Sequence, residues 1–367
     1  MTRPALVTVV IPTYNYGIFL EDAVSSAAQQ DYEALEILVV DDGSTDNTGE
    51  VLERLRRQIP ALRVITTAHL GVSNARNVGT QAAKGTYVAY LDADDIWHPT
   101  KIEKQVAALE AHAGDPEWVA VYSLFRIIDR EGVITDSAPA FETRGYCFAN
   151  HLIVNHIGNG SGMLVRRDVV LEIGGFDTKY ALCEDIDLQL RILKHYKIEV
   201  VREYLVGYRH HKKSATTRHV EMAQAVTETI DRHASDPQIP QSLRDATRVS
   251  SYRYVWHKYL RGQHYRSAIQ VLLKALWAEP FATMDDISQR FRGAFRRRAR
   301  LAYQALSLKE ETTELPLFLA TSPLAGVSEK EPKPQARISK RFACFDKLLY
   351  ERFVNPGLKK GRCPKRH

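Results

Sequence analysis

The sequence predicts an α/β fold with a mostly parallel central sheet flanked by helices, followed by a C-terminal helical appendage. Three observations carry this expectation. From the start to about residue 210, short apolar runs alternate with amphipathic stretches of helical period. The runs are β-branched and nearly continuous, which suits strands buried on both faces. Beyond about Ala215 the strand signals stop and helical periodicity continues alone.

Strands are expected at Leu6 to Ile11, Leu35 to Val40, Leu62 to Thr66, Thr86 to Leu91 and Trp118 to Ser123. Helices fill the gaps at Ile18 to Gln29, Asp46 to Gln58, Val72 to Lys84 and Pro99 to His112, the last opening with proline at a first-turn position. After Ser123 the alternation loosens into a hairpin around Asp129-Arg130-Glu131-Gly132, a helix near Cys147 to His156 and the strand Gly162 to Arg166. A short helix from Asp168 to Ile173 stops at Gly174-Gly175, and another runs from Glu184 to His195. Val220 to His233, Leu243 to Leu260, Tyr265 to Ala278 and Asp285 to Leu306 follow as successive helices. The expected division is 1–215 for the α/β domain, 216–308 for the helical appendage and 309–367 for a basic tail. Pro332, Pro334, Pro356, Pro364 and many charges predict poor order in that tail, apart from a short helix at Phe345 to Phe353.

A chain of 367 residues with 44% hydrophobic content can bury an enzyme-sized core. Cys147, Cys183, Cys344 and Cys363 form no C-x-x-C pair and suggest neither a disulfide framework nor a zinc site, so a reducing, cytoplasmic setting fits. The first apolar run is too short for a signal segment, and no stretch reaches the roughly 18 to 20 apolar residues of a membrane span. The net charge of +6 is unevenly placed: residues 281–367 hold 19 Lys+Arg against 9 Asp+Glu, and the rest is mildly acidic. Arg296, Arg297, Arg298 and Arg300, in a helical pattern with Phe291, Phe295 and Leu301, suit peripheral contact with the inner face of an anionic membrane or with an acidic partner. A solvated helix face is the alternative. Nucleic acid is not an expected partner, because the tail's charge comes without a recognisable binding module.

In an open α/β sheet, ligands bind beyond the carboxyl ends of the strands. Three of those ends are uniformly polar: Pro12-Thr13-Tyr14-Asn15, Asp41-Asp42-Gly43-Ser44 and Asp92-Ala93-Asp94-Asp95. Crowded carboxylates repel unless a cation or donors compensate them. Asp92 and Asp94, one residue apart, can face a single centre, and Mg²⁺ or Mn²⁺ takes one or two carboxylates plus substrate phosphates. Asp95 reads as an N-cap of the helix that opens at Pro99. Asp41 and Asp42 are either turn formers or, for Asp42, an acceptor for the imide N–H of uracil or thymine, with Tyr14 stacking on the base.

Taken together, Val9-Val10-Ile11-Pro12-Thr13-Tyr14-Asn15, Asp41-Asp42-Gly43-Ser44-Thr45-Asp46, Asn74-Ala75-Arg76-Asn77 and Leu91-Asp92-Ala93-Asp94-Asp95 resemble family 2 of the glycosyltransferases, with a GT-A fold. The resemblance covers about residues 5 to 215 and lies in the order and spacing of the motifs. It implies an inverting transfer from a nucleoside-diphosphate sugar, UDP above all, to a glycan or lipid-linked acceptor in bacterial surface-glycan or polysaccharide biosynthesis. It assigns the donor to Pro12, Thr13, Tyr14, Asn15, Asp42, Arg76 and Asp92. It gives an Mn²⁺ or Mg²⁺ ion to Asp94, with Asp92 shared between ribose and metal and His211 in the place of a further ligand. Arg76 is otherwise a helix-surface arginine.

Gly174-Gly175-Phe176-Asp177 and Glu184-Asp185-Ile186-Asp187-Leu188 also match the family, whose catalytic base falls on Asp185. A carboxylate there can take the acceptor's proton, and neighbouring acids raise its proton affinity. The alternative is an acidic helix start that suits the dipole. Gly175, Phe176, Asp177 and Glu184 are expected on the acceptor side, and Lys212 or Lys213 either beside the leaving diphosphate or on a solvated surface. A dinucleotide-dependent oxidoreductase is excluded by Pro12-Thr13-Tyr14-Asn15 in place of G-x-G-x-x-G. A nucleotidyltransferase would need a phosphate loop after the first strand that is absent, and a non-catalytic binding module would not need Asp185. The loops from Ser123 to Asn159 carry no motif that names sugar, acceptor or linkage.

Overall fold

The computed structural model describes residues 4–278 and 280, Lys213 excepted. The expected helices at Asp285 to Leu306 and Phe345 to Phe353, the basic arginines and the tail lie outside the described residues, as does Lys213.

The first half is an alternating unit. Strand β1 (Val7–Thr13) leads to helix α1 (Gly17–Ala28), β2 (Leu35–Asp41) to α2 (Thr48–Gln58), and β3 (Leu62–Thr66) to α3 (Val72–Ala82). Then come β4 (Tyr87–Tyr90), the short β5 (Ile96–Trp97) and α4 (Lys101–Glu110). Side chains alternate across each strand, and both faces are buried. Val9 and Ile11 of β1 pack with Leu20, Val51 and Ile102 on one side. Val10 packs with Leu38, Ala75 and Tyr90 on the other.

The second half is less regular. It runs β6 (Trp118–Ile128), β7 (Ile134–Ser137), α5 (Phe148–Ile153), β8 (Met163–Arg166), α6 (Arg167–Glu172), α7 (Glu184–Leu193) and β9 (Lys197–Arg209). Helices α8 (His219–Ala234), α9 (Gln241–Arg261) and α10 (Tyr265–Ala278) follow. The hairpin turn lies between β6 and β7, as expected.

One nine-stranded sheet has the order β3-β2-β1-β4-β8-β6-β9-β5, with β7 beside β6. The expected parallel arrangement holds for β3, β2, β1 and β4. Beyond β4 the sheet is mixed: β8 is antiparallel to both β4 and β6, whereas β6 and β9 run parallel. Strand β9 was not expected from sequence. Arg202-Glu203 interrupts its apolar pattern, and its register against β6 shifts near Ser123 and Leu124. The expected C-terminal helical appendage is present as α8, α9 and α10, and α8 and α9 bury Met222, Ala223, Ile230 and Leu243.

Candidate functional site

Parallel register sets the site's first edge. Thr13 of β1 lies opposite Asp41 of β2, and Val10 lies opposite Tyr90 of β4. The chain therefore leaves all three strands at one end, bringing Tyr14, Asp42 and Asp92 together. A cavity of about 710 Å³ opens there, lined by Pro12, Thr13, Tyr14, Asp42, Arg76, Asp92, Asp94, Glu184 and Asp185, among others.

Asp42 is almost fully buried and organises the loop after β3. Its carboxylate accepts from Thr67 Oγ1 (2.6 Å), Leu70 N (2.8 Å) and Gly71 N (2.7 Å). Burial pushes its pKa up, but these donors outweigh that and hold it below the usual carboxylate range. A carboxylate offers about four acceptor positions, and His69 Nδ1, 3.5 Å from Asp42 Oδ2, stands beside the one that these donors leave. Tyr14 stacks on His69, centroids 3.8 Å apart. His69 lies in the loop after β3, the one parallel strand end that no polar motif marks in the sequence.

Asn15 departs from its expected role. In a left-handed conformation (φ 58°), its Oδ1 accepts from Thr45 N (2.7 Å) and Asp46 N (3.1 Å). It shapes the turn after β2 and is not among the lining residues.

The acidic cluster divides into different environments. Asp95 is fully buried and does not cap a helix, because α4 begins only at Lys101. It accepts from Ser161 Oγ (2.6 Å) and Arg209 N (2.9 Å), while Ser161 Oγ also receives Asp92 N (3.0 Å). Ser161 and Arg209, neither marked by a motif, thus brace the loop. Asp94 is bonded to His211 Nε2 (2.9 Å). Burial raises the Asp94 pKa, opposed by the His211 bond and reinforced by Asp92. Burial raises Asp95 well above its usual range, with Asp94 and Asp92 adding to it.

Arg76 is no surface residue. It is 3% exposed and bridges Asp92 Oδ1 and Glu184 Oε1, each at 2.6 Å, above the Phe176 ring. Gly160 lies against this pair, where a Cβ would come within 3.3 Å of Arg76 Nη2. Neighbouring Asn77 exchanges two 2.8 Å hydrogen bonds with the Phe176 backbone. A side chain at Gly175 (φ +69°) would collide with it at 2.4 Å. Gly175, Phe176 and Asp177 therefore hold the framework and do not line the cavity, unlike Glu184.

Cys183, in a left-handed conformation (φ 65°), opens α7 and presents Asp185 to the cavity. Burial, then Glu184, lift the Asp185 carboxyl to about 7 against the opposing pull of Arg76. Its proton affinity is that of a usable general base.

The family model for glycosyl transferase family 2 matches residues 8–174, ending just before this acidic pair. An uncharacterized glycosyltransferase of Nostoc sp. (strain PCC 7120) is 31% identical over 247 residues, covering 63% of this chain and 74% of that protein. The chain belongs to glycosyl transferase family 2. It spans only 35% of the length of two relatives from Rickettsia felis and Rickettsia conorii. Among solved structures, S. aureus TarS in complex with UDP-GlcNAc superposes with a TM-score of 0.55 at 16% identity, covering 76% of this chain and 82% of that one. The mannosyltransferase PcManGT of Pyrobaculum calidifontis, in complex with GDP-Man and Mn²⁺, gives 0.54 at 19%, covering 98% and 89%. At these identities the likeness is one of fold, and it is the GT-A fold expected from the sequence. Membership makes the chain a glycosyltransferase. Among the described residues no helix is long and apolar enough to cross a membrane.

Proposed function

We propose that the protein is an inverting glycosyltransferase that moves a sugar from a nucleoside-diphosphate sugar, with UDP as the expected nucleotide, to an acceptor hydroxyl in surface-glycan assembly. The observation that carries this reading is one cavity lined by Tyr14 and Asp42, by Asp92 and Asp94, and by Asp185.

Pro12, Thr13 and Tyr14 form the wall for the base, with the remaining acceptor position of Asp42 for its N–H. Asp185 takes the proton of the acceptor hydroxyl as that oxygen bonds to the anomeric carbon and the bond to the diphosphate breaks. A single displacement inverts the anomeric centre. Arg76 holds Asp92 and Glu184 in place, and its positive charge faces the departing diphosphate.

The acidic residues suit a divalent ion, because Asp94 is raised by burial and by Asp92 and so lacks full compensation for its charge. No group of three or more His, Cys, Asp or Glu among the described residues could hold a metal by itself. Asp94 and Asp92 would hold Mn²⁺ or Mg²⁺ together with the phosphates of the donor, with His211 beside Asp94. When bound, such an ion supplies neutralisation of the leaving diphosphate.

The deciding experiment is Asp185→Asn with a panel of UDP-, GDP- and dTDP-sugars and Mn²⁺. Transfer should fall about 10²- to 10⁴-fold, while thermal stabilisation by the preferred donor persists. Normal transfer by a folded variant would remove Asp185 as the base.

A further inference from the structure

The donor half does not account for the whole cavity. Past Asp185 it continues between α5, the start of α7, α8 and α9, where the walls become Leu152, Leu182, Ile186, Met222, Val226 and Ile230. Most of these belong to one buried apolar cluster that runs under the sheet.

The polar side chains on this side, His151, Ser250, Ser251 and Tyr254, are fewer than the apolar ones. Ser250 Oγ donates to Ile153 O at 2.5 Å. His151 pairs with Gln189 Oε1 at 3.1 Å and with His156 at 3.3 Å, and burial lowers its pKa so that it stays neutral. A sugar ring pushed into this lobe would bury more hydroxyls than Ser251 and Tyr254 can pair, each unpaired one costing about 1–3 kcal/mol. A hydrocarbon group would instead gain from the same walls. The lobe is continuous with Asp185, so its occupant adjoins the hydroxyl that Asp185 deprotonates.

We propose that the acceptor carries a hydrocarbon group next to its nucleophilic hydroxyl, and that this group seats in the lobe between α5, α8 and α9. This deepens the reading of Asp185 as base and rests on it for the acceptor's direction. The lobe selects acceptors by apolar burial, leaving sugar recognition to the donor half.

The test titrates 1-hexanol, 1-octanol and 1-decanol into the full chain by calorimetry, with 2-naphthol as the aromatic arm. Binding should be saturable and one-to-one, strengthening about fourfold per methylene until the lobe is filled. Preference for the alcohols identifies a chain, and preference for 2-naphthol an aromatic group. Val226→Trp, at a half-buried wall position, should weaken binding at least tenfold, with the thermal midpoint reporting that it folds. Val226→Phe serves if the larger ring does not fold. Trp277→Gln, on the exposed face of α10, should change nothing. Asp185→Asn should retain hydrocarbon binding, so a failed base assignment and a failed lobe are told apart. No saturable binding, or binding that survives in a folded Val226 variant, would overturn the proposal.

Discussion

The two sides of the cavity are built by different means. The side proposed for the donor hangs on the ends of β1, β2 and β4, three neighbouring strands whose parallel register brings residues 14, 42 and 92 to one edge. The side proposed for the acceptor is assembled from α5, α7, α8 and α9, elements spread from residue 148 to 261 and joined by packing. A strand end is a local feature that a short polar string can mark. A wall made by helix packing has no local signature, because its side chains are ordinary core residues.

Arg76 joins the sides, and removing it is the largest test of whether they are separable. Arg76→Ala would leave Asp92 and Glu184 buried or half-buried without their shared cation. Breaking a buried pair of this kind typically costs about 3–5 kcal/mol. Denaturant unfolding should show a loss of that size. Arg76→Lys should fall between, since an ammonium lacks the guanidinium fork that reaches both carboxylates. A loss below about 1 kcal/mol in Arg76→Ala would mean that the two sides stand independently.

Within the donor side, Asp94 and Asp95 should separate function from stability. Asp95→Ala removes the acceptor for Ser161 Oγ and Arg209 N, and should lower stability by about 1–3 kcal/mol. Asp94→Asn keeps the shape, and should leave the unfolding midpoint near that of the unaltered protein while abolishing the Mn²⁺-dependent part of donor stabilisation. Equal stability losses in both would end the division.

The acceptor side carries the pH signature. The folded pKa of Asp185 is raised to about 7, above that of the unfolded chain, so the native state holds the extra proton between the two values. Its contribution to stability is present at low pH and is lost as pH rises through about 7. Asp185→Asn should thus gain stability relative to the unaltered protein over that window. If Asp185 is the proposed base, transfer needs its carboxylate, and kcat/KM should rise about tenfold per unit below pH 7 and level off above it. A pH-independent stability difference would place Asp185 in an ordinary solvated environment.

Legibility follows the same division. Asp42, Asp92, Asp94, Arg76 and Asp185 all line the cavity, and each stands in a string that the sequence displays. Asn15 and Asp95 stand in the same strings but are spent on bracing other segments, Asn15 on Thr45 N and Asp46 N and Asp95 on Ser161 Oγ and Arg209 N, a distinction made by hydrogen bonds and not by residue type. Ser161 and Arg209 brace Asp95 from 66 and 114 residues away, a separation no local pattern encodes. Strand β9 was hidden by Arg202-Glu203, and α8 and α9 read as helices without revealing that they close a cavity.

The smallest effect concerns the wall for the base. Tyr14 is 37% exposed and already covers one ring face with His69. Stacked aromatic pairs contribute about 0.5–1.5 kcal/mol, so Tyr14→Leu should weaken nucleotide affinity by roughly two- to tenfold. His69→Ala discriminates how the base enters. If the base takes the face that His69 occupies, removing the histidine removes a competitor, and affinity should rise. If the base instead lies over His69 itself, the same change should weaken binding by an amount similar to Tyr14→Leu. Calorimetric titration of the nucleotide into both variants therefore tests whether the donor side is preformed or must first break its own stack.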